Sequence, residues 1–240
     1  MFSIFNNFLS NLEYQLLPTA CATCGRSGTS FCPHCRAHIL KKPRCCPLCG
    51  RNNKLGLFCV NCQTVAKNYA FSGIYAYGNY QQATLQTAIK ACKDRGVKDI
   101  GYKLGKMLGR ALKADWQQAP PAWQITTPHI IPIPLHPRRQ RERGFNQSDL
   151  LATGLSQASG WAWSKQLQRI KYRQANSHLS DNWRQEQAPV FVCPKNALNG
   201  QTIILVDDIV STGATAQAAS IALKQAGANN ILVAVMAQVS

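Results

Sequence analysis

Two carboxylates and a hydroxyl-rich turn follow an apolar run near the end of the sequence. Residues 203–206 are apolar, as in a buried strand, and Asp207 and Asp208 come next. Open α/β sheets bind ligands at the carboxyl ends of their strands, and a helix N-terminus attracts anions. The turn that opens the following helix consists of Ser211, Thr212, Gly213, Ala214 and Thr215. One side of this site therefore suits a phosphate and the other suits hydroxyls or a hydrated cation, two features that a phosphorylated sugar combines. The turn has no lysine, which disfavours a Walker-type nucleotide site.

The elements that would position this site alternate along the chain. "YAFSGIYAYGNY" predicts a strand or hairpin, and "HIIPIPL", "TIILV" and "NILVAVMAQ" predict further strands. Helical spacing of apolar residues marks "QQATLQTAIKACKDRG" and "DIGYKLGKMLGRALKADW", and another helix ends the basic run after "HIIPIPL". Strands that alternate with helices predict an α/β fold with a parallel sheet covered on both faces.

Cysteine pairs dominate the first part of the chain. Nine of the eleven cysteines precede residue 63, and eight of them form four C-x-x-C turns. Two such turns make one tetrahedral four-thiolate site, so four turns predict two closed sites with a structural role. The predicted ligands are Cys21, Cys24, Cys32, Cys35, Cys46, Cys49, Cys59 and Cys62. Thiolates favour zinc, although the spacing also permits an iron–sulfur cluster. Sequential pairing of the turns is the simplest arrangement, and interleaved pairing would fit the same sequence. Cys45 is left over.

The charge balance indicates a polyanionic partner. The chain has 27 lysines and arginines against 10 acidic residues, a formal net charge of +17 in 240 residues. Such an excess favours nucleic acid, phosphorylated ligands or a membrane surface, although a basic protein can also be merely well solvated. The basic residues predicted to contact nucleic acid are Lys41, Lys42, Arg44, Arg169, Lys171 and Arg173.

The first residues predict neither a leader nor a membrane anchor. "MFSIFNNFLSNLEYQLLP" lacks a basic start and a small-residue cleavage site, and no apolar run is long enough to span a bilayer. Residues 1–17 are predicted to form an amphipathic helix that docks on the protein, with a membrane-surface helix as the alternative. A cytoplasmic protein without stable membrane insertion is expected.

Two motifs carry a resemblance to a known family. "ILVDDIVSTGATA" resembles the phosphoribosyl-pyrophosphate signature of type I phosphoribosyltransferases. "IPIPLHPRRQRERGFNQSDLLA" is similar to a segment of the ComF family, whose members combine cysteine turns with a phosphoribosyltransferase-like domain. The resemblance covers nearly the whole chain and implies a double zinc-ribbon at residues 18–66 and a type I phosphoribosyltransferase-like domain at residues 67–240. Asp94 and Asn176 stand where the family often has an aromatic residue and a glutamine.

The resemblance also implies roles for individual residues. Asp207 and Asp208 would hold the ribose hydroxyls, the turn at residues 211–215 would cradle the 5′-phosphate, and Mg²⁺ would bridge pyrophosphate and ribose oxygens. The pyrophosphate loop and the lid beside it would include Leu135, His136, Arg138, Arg139, Arg141 and Arg143.

Three functions fit these features. The first is a protein of DNA uptake or use of external DNA, which binds single-stranded DNA, retains a phosphoribosyl-pyrophosphate site and works with a helicase or another competence protein. The second is an active phosphoribosyltransferase with an unknown acceptor. The third is a sensor that binds phosphoribosyl pyrophosphate without turnover. Salt-sensitive DNA affinity would distinguish the first function, and pyrophosphate release would distinguish the second from the third.

Overall fold

A computed structural model describes residues 20–125, 127–171 and 190–239 of the chain. The predicted helix at residues 1–17 lies outside the described residues, as do Arg173 and Asn176. Among the helices that are described, none combines the length and apolarity needed to cross a membrane.

A parallel four-stranded sheet forms the centre of the protein. Its strands in chain order are β1 (Gly73–Asn79), β2 (His129–Pro132), β5 (Thr202–Val210) and β6 (Asn230–Gln238). Their spatial order is β1-β6-β5-β2, and all three neighbouring pairs are parallel. The segment "YAFSGIYAYGNY" therefore contains one parallel strand rather than a hairpin, because β1 pairs with the distant β6. Two short strands, β3 (Gln168–Arg169) and β4 (Phe191–Val192), form a separate antiparallel pair.

Helices cover both faces of this sheet, as the sequence predicts. The described helices are α1 (Pro33–Ala37), α2 (Gln63–Ala66), α3 (Ala83–Arg95), α4 (Lys98–Asp115), α5 (Pro121–Gln124), α6 (Pro137–Arg143), α7 (Gln147–Ser159) and α8 (Ala214–Gln225). Single 3₁₀ turns precede α2 and follow α4, at Val60–Cys62 and Trp116–Gln118.

The strand register sorts the apolar side chains into two cores. Ile130, Ile204 and Leu232 face one another across the sheet and pack with α3, α4 and α7. Their neighbours Leu205 and Val233 point to the opposite face and pack with α8. This alternation is what a strand period of two residues requires, so each strand contributes to both cores.

Helices α4 and α7 pack closely because glycines remove side chains from their contact. A Cβ atom on Gly105 would overlap the carbonyl oxygen of Leu151, and one on Gly154 would overlap the carbonyl oxygen of Tyr102. Any larger residue at either glycine would force the backbones apart. The close packing fixes α7, whose first turn reaches the carboxyl edge of the sheet, against α4.

The cysteine-rich segment at residues 20–62 packs beside the sheet rather than apart from it. Cys21, Phe31, Cys32 and Cys35 are buried in the same core as α4 and α7. Backbone hydrogen bonds join its second half to β1, from Ile74 N–H to the Gly56 carbonyl at 2.9 Å among others. The predicted fold class, an α/β protein with a parallel sheet preceded by a small cysteine-rich part, is confirmed.

Candidate functional site

The acid pair lies within the last part of β5. Asp207 pairs with Val235 of β6, and the strand continues past both acids to Val210, which pairs with Gln238. The sequence interpretation ends the strand before the acids, whereas the ladder with β6 extends it beyond them. Both carboxylates nevertheless lie near the carboxyl edge, where parallel sheets bind ligands.

Asp208 is buried and paired with a lysine. It is 6% exposed, and its Oδ2 atom lies 2.6 Å from Nζ of Lys93 on α3. Burial acts to lower the pKa of Lys93, but the negative charge of Asp208 raises it above the ordinary value. A buried carboxylate without a partner would be costly, and Lys93 supplies the counter-charge beside Asp208.

Asp207 has a hydroxyl partner instead. The Ser148 hydroxyl, in the first turn of α7, donates to Oδ1 of Asp207 at 2.9 Å. Burial, and then the charge of Asp208, raise the pKa of Asp207 to about 7. The pKa of Asp207 is higher in the folded protein than in the unfolded chain. Its contribution to the stability of the unliganded protein is therefore complete only at a pH below the unfolded-state pKa. This contribution is lost as the pH rises through about 7.

The glycine turn links β5 to α8. Gly213 has φ of 79°, a left-handed conformation that other residues adopt at a cost, and it is buried directly before the helix. Ser211, Thr212 and Thr215 are exposed around it. The turn therefore presents hydroxyls and the free N–H groups of a twelve-residue helix to solvent, which suits an anion.

The loop after β2 reaches the same edge and leads into an arginine-bearing helix. His136 caps α6, its ring nitrogen accepting from the N–H of Arg138 at 3.2 Å. On that helix Arg138 pairs with Glu142 at 3.1 Å, and Arg143 donates to Gln147 at 2.7 Å. The predicted loop and lid residues from Leu135 to Arg143 thus lie on one short helix and the turn before it.

A cavity of about 410 Å³ opens beside this loop. Leu135, His136 and Asn146 line one side, and Leu167 and Arg169 of the β3 region line the other. Asn146 fixes the geometry, since its side-chain amide donates to the Ile133 carbonyl at 3.1 Å. The space is large enough for a small organic molecule next to the loop.

The eight predicted thiolates form two compact groups. Cys21, Cys24, Cys32 and Cys35 make one group, and Cys46, Cys49, Cys59 and Cys62 make the other, with all Sγ atoms of a group within 4.8 Å of one another. These are called the first and second cysteine clusters below. The pairing is therefore sequential, not interleaved.

Distances within the clusters suit a tetrahedral metal site. The Sγ atoms of Cys24 and Cys32 are 3.7 Å apart, and those of Cys49 and Cys59 are 3.6 Å apart. Four sulfurs at about 2.3 Å from one zinc would be separated by about 3.8 Å, whereas a disulfide would need about 2.05 Å. Both clusters are compatible with structural zinc.

Backbone amides prepare one thiol in each cluster for metal. Burial acts to raise the pKa of Cys21, but N–H groups led by that of Cys32 lower it to about 6. Cys46 has the same balance, with the N–H of Cys59 first among the donors, and its pKa is also about 6. Cys45 lies outside both clusters, and His34 is exposed, with its ring tilted against that of His38 at a centroid distance of 4.2 Å.

The basic residues predicted to contact nucleic acid have different surroundings. Lys41 is exposed, whereas Nζ of Lys42 donates to Gln238 at 2.8 Å. The Arg44 guanidinium donates to the Tyr75 hydroxyl at 2.8 Å and lies over its ring. Arg169 lies over Phe191, and Lys171 follows it at the edge of the described residues. Their role in nucleic-acid binding stays a prediction.

Known proteins resemble the chain over most of its length. Competence protein ComFC of Bacillus subtilis is 29% identical over 208 residues, which are 82% of this chain and 78% of the relative. Competence protein F of Haemophilus influenzae is 28% identical over 223 residues, 84% of this chain and 94% of the relative. DNA utilization protein YhgH of Salmonella typhi is 36% identical over 101 residues, which are 41% of this chain and 44% of the relative. No protein-family model matches the chain.

Over most of its length the chain resembles the ComF family of competence proteins. Solved structures similar to the chain include an adenine phosphoribosyltransferase, 18% identical with a TM-score of 0.36 over 62% of this chain and 75% of the other. An allosteric regulatory enzyme of purine biosynthesis is 20% identical, with a TM-score of 0.38 over 56% of this chain and 25% of the other. The chain thus spans about a quarter of that enzyme.

Two residues of the acid-pair site were not singled out from the sequence. Ser148 lies inside "RGFNQSDLLA", which carries the family resemblance, and Lys93 lies beside Asp94, where the sequence departs from the family pattern. Only the fold shows that α3 and α7 bring them to Asp208 and Asp207. The sequence offered one signal for them: Lys93 is a polar residue near the end of a predicted helix, and Ser148 is one near the start of another.

Proposed function

We propose that this protein acts in DNA uptake or in the use of external DNA, binds single-stranded DNA, and holds phosphoribosyl pyrophosphate with Mg²⁺ at the acid pair. The observation that carries the ligand site is the hydrogen bond from Ser148 to Asp207. It joins the segment after β2 to the acid strand, so that acids, glycine turn and arginine-bearing loop share one edge. The names of the relatives and the charge of +17 support the DNA role.

In this proposal each part of the edge binds one part of the ligand. Asp207 and Asp208 accept hydrogen bonds from the ribose hydroxyls, and the N–H groups and hydroxyls of residues 211–215 bind the 5′-phosphate. Leu135, His136 and the arginines Arg138, Arg139, Arg141 and Arg143 surround the pyrophosphate. The ion pair with Lys93 holds the Asp208 carboxylate in place for this contact.

The metals have separate tasks. The two cysteine clusters hold zinc as structural cross-links, with no open coordination position. Carboxylate oxygens are the ligand type that Mg²⁺ prefers, and the acid pair offers them beside the phosphate turn. When bound, Mg²⁺ neutralises pyrophosphate charge. The protein is proposed to work in the cytoplasm, with a helicase or another competence protein as partner.

A phosphoribosyltransferase with an unknown acceptor is the second candidate. The cavity of about 410 Å³ beside Leu135 and His136 favours it, because an acceptor could enter there next to the pyrophosphate loop. A sensor without turnover would use the same ligand contacts and release no pyrophosphate.

Calorimetric titration with phosphoribosyl pyrophosphate and Mg²⁺ tests the ligand site. Saturable binding is expected for the native protein, and Asp207→Asn should weaken it at least tenfold while the protein stays folded. Asp94→Asn, which removes an exposed acid next to Lys93, is the matched control and should bind like the native protein. Equal binding by the native protein and Asp207→Asn would refute the site. Pyrophosphate release during the titration with added acceptors would favour the transferase.

A further inference from the structure

Helix α4 carries an exposed row of cations on its outer side. Lys106, Arg110 and Lys113 are spaced by four and three residues, so they follow one face over about 10 Å. Arg110 and Lys113 are exposed and Lys106 is half-buried. Within the described ranges no ion pair joins these three to a carboxylate. By contrast Lys103, one turn earlier, lies 2.7 Å from Asp99.

A groove of about 490 Å³ lies at the end of this row. Arg110, Lys113 and Gln117 line the groove. Gln124 lines it too, and its Nε2 donates to the backbone carbonyls of Gln117 and Ala119, so its Oε1 is the atom offered to a ligand. Trp116 contributes to the lining, although it is only 8% exposed.

Trp116, which lines the groove, packs against two further tryptophans behind it. Trp116 meets Trp161 edge to face, with ring centroids 5.1 Å apart, and Trp123 packs against Trp116 at 6.1 Å. Nζ of Lys113 lies 5.2 Å from the Trp161 ring. This contact holds the ammonium group at the rim, where it can meet an anion.

This groove is separate from the acid pair. Ala158 lines it near the end of α7, ten residues or about 15 Å along the helix from Ser148. None of the acid-pair, glycine-turn or arginine-loop residues is part of its lining.

We propose that the groove and its cationic row bind single-stranded DNA, with phosphates on Lys106, Arg110 and Lys113 and one unpaired base in the groove. The inference rests on the DNA-binding part of the proposed function and assigns it a surface. Amide groups beside Trp116 can pair with the edge of a base, whereas an anionic membrane would offer no such group.

Fluorescence anisotropy with a short labelled oligothymidine tests this assignment. The double variant Arg110→Gln/Lys113→Gln should weaken binding at least tenfold at low salt. Removing two phosphate contacts should also reduce the slope of log K against log salt by about 1.4, at about 0.7 per contact for single strands. Arg110→Lys/Lys113→Arg keeps the charge and should keep the slope.

The matched control is Lys90→Gln/Lys195→Gln, which removes two exposed lysines outside the groove. Melting temperature and zinc content establish that every variant is folded. Equal losses in the groove and control variants would show that DNA contacts are spread over the surface, which refutes the groove and leaves DNA binding intact. A native protein that binds no oligonucleotide refutes both the groove and the DNA role.

Two further probes separate the base from the phosphate and DNA from lipid. An abasic oligomer should bind the native protein more weakly than oligothymidine, and Gln117→Ala should reduce that difference. A groove that binds phosphate alone would show no such difference, which would overturn the base contact. Binding to anionic vesicles that depends on Arg110 and Lys113, without binding to DNA, would overturn the proposal in favour of a membrane.

Discussion

The two cysteine clusters have the same ligands but different attachments to the protein. In the first cluster three of the four cysteines are buried, and Phe31 beside them is fully buried in the core that contains α4. In the second cluster only Cys46 is buried, and Cys49 is exposed. The first cluster is therefore part of the main core, and the second lies at its margin.

Polar contacts follow the same division. Near the first cluster, Lys103 of α4 donates to Thr29 at 2.7 Å, and the Ser30 hydroxyl donates to Asp99. The second cluster has backbone contacts instead, from Phe58 N–H to the Ser72 carbonyl at 2.9 Å and through the bridge between Leu57 and Gly73. We infer that loss of metal from the first cluster unfolds the main core. Loss of metal from the second cluster should increase the mobility of that cluster's own segment only.

The largest effect is expected from Cys35→Ser. Structural zinc contributes about 10–16 kcal/mol in small zinc peptides, which matches or exceeds the roughly 5–15 kcal/mol stability of a whole domain. Because Cys35 is 5% exposed within the main core, the variant should lose its cooperative melting transition as well as one zinc. Calorimetry and metal analysis measure both. Cys45→Ser, next to the second cluster but outside both, should retain two zincs; its unfolding would contradict the assigned ligand sets.

A smaller, local effect is expected from Cys62→Ser. This variant should lose one zinc and keep the cooperative transition of the sheet, because the second cluster contributes little to the main core. Hydrogen exchange should speed up at residues 46–66 and remain slow in α4 and α7. If the amides of α4 exchange as fast as those of the second cluster, both clusters stabilise the main core, and the proposed difference between them is wrong.

Arg44→Met tests the segment that joins the clusters. The Arg44 guanidinium donates to the Ala76 carbonyl at 3.0 Å and to the Tyr75 hydroxyl, which in turn donates to Asp115 at 2.6 Å. Losing hydrogen bonds of a charged group costs about 1.5–3 kcal/mol, which chemical denaturation can measure. Lys41→Met removes an exposed cation from the same segment and should be nearly neutral. A loss as large as that of Cys35→Ser would show that this segment, and not the metal, anchors the cysteine-rich part.

The sequence could predict features that depend on the spacing of neighbouring residues, but not those that depend on residues brought together by the fold. The C-x-x-C spacing predicts both clusters because ligand geometry is local, and four apolar residues before Asp207 predict the strand for the same reason. Arg44 lies in the basic run "KKPR", whose composition predicts a solvent-exposed segment. In the structure its guanidinium instead contacts Tyr75 and Asp115, which come from distant elements. Lys93 was missed likewise, since its pairing with Asp208 depends on how α3 packs on the sheet. Local chemistry could be predicted, whereas the partners of charged groups required the fold.

The smallest expected effect concerns the contact between the segment after the second cysteine cluster and the helix that follows the glycine turn. Gln217, in the first part of α8, donates to the Asn68 carbonyl at 3.0 Å and accepts from the Ala70 N–H at 2.9 Å. These bonds connect the chain just beyond the second cluster to α8, the helix that Gly213 precedes. Gln217→Ala should destabilise the protein by about 1–2 kcal/mol, since it removes two hydrogen bonds.

A double-mutant cycle shows whether that contact depends on the second metal. If Cys62→Ser already loosens the segment around Asn68, Gln217→Ala should cost less in that background than in the native protein, with a coupling of at least 0.5 kcal/mol. Gln225→Ala, at the far end of α8, is exposed and should show no coupling. Additive costs for Gln217→Ala would mean that the segment beyond the cluster is held by the sheet alone. The second cluster would then have no influence on the turn proposed to bind phosphate, and it would stabilise only the loop that contains its own cysteines.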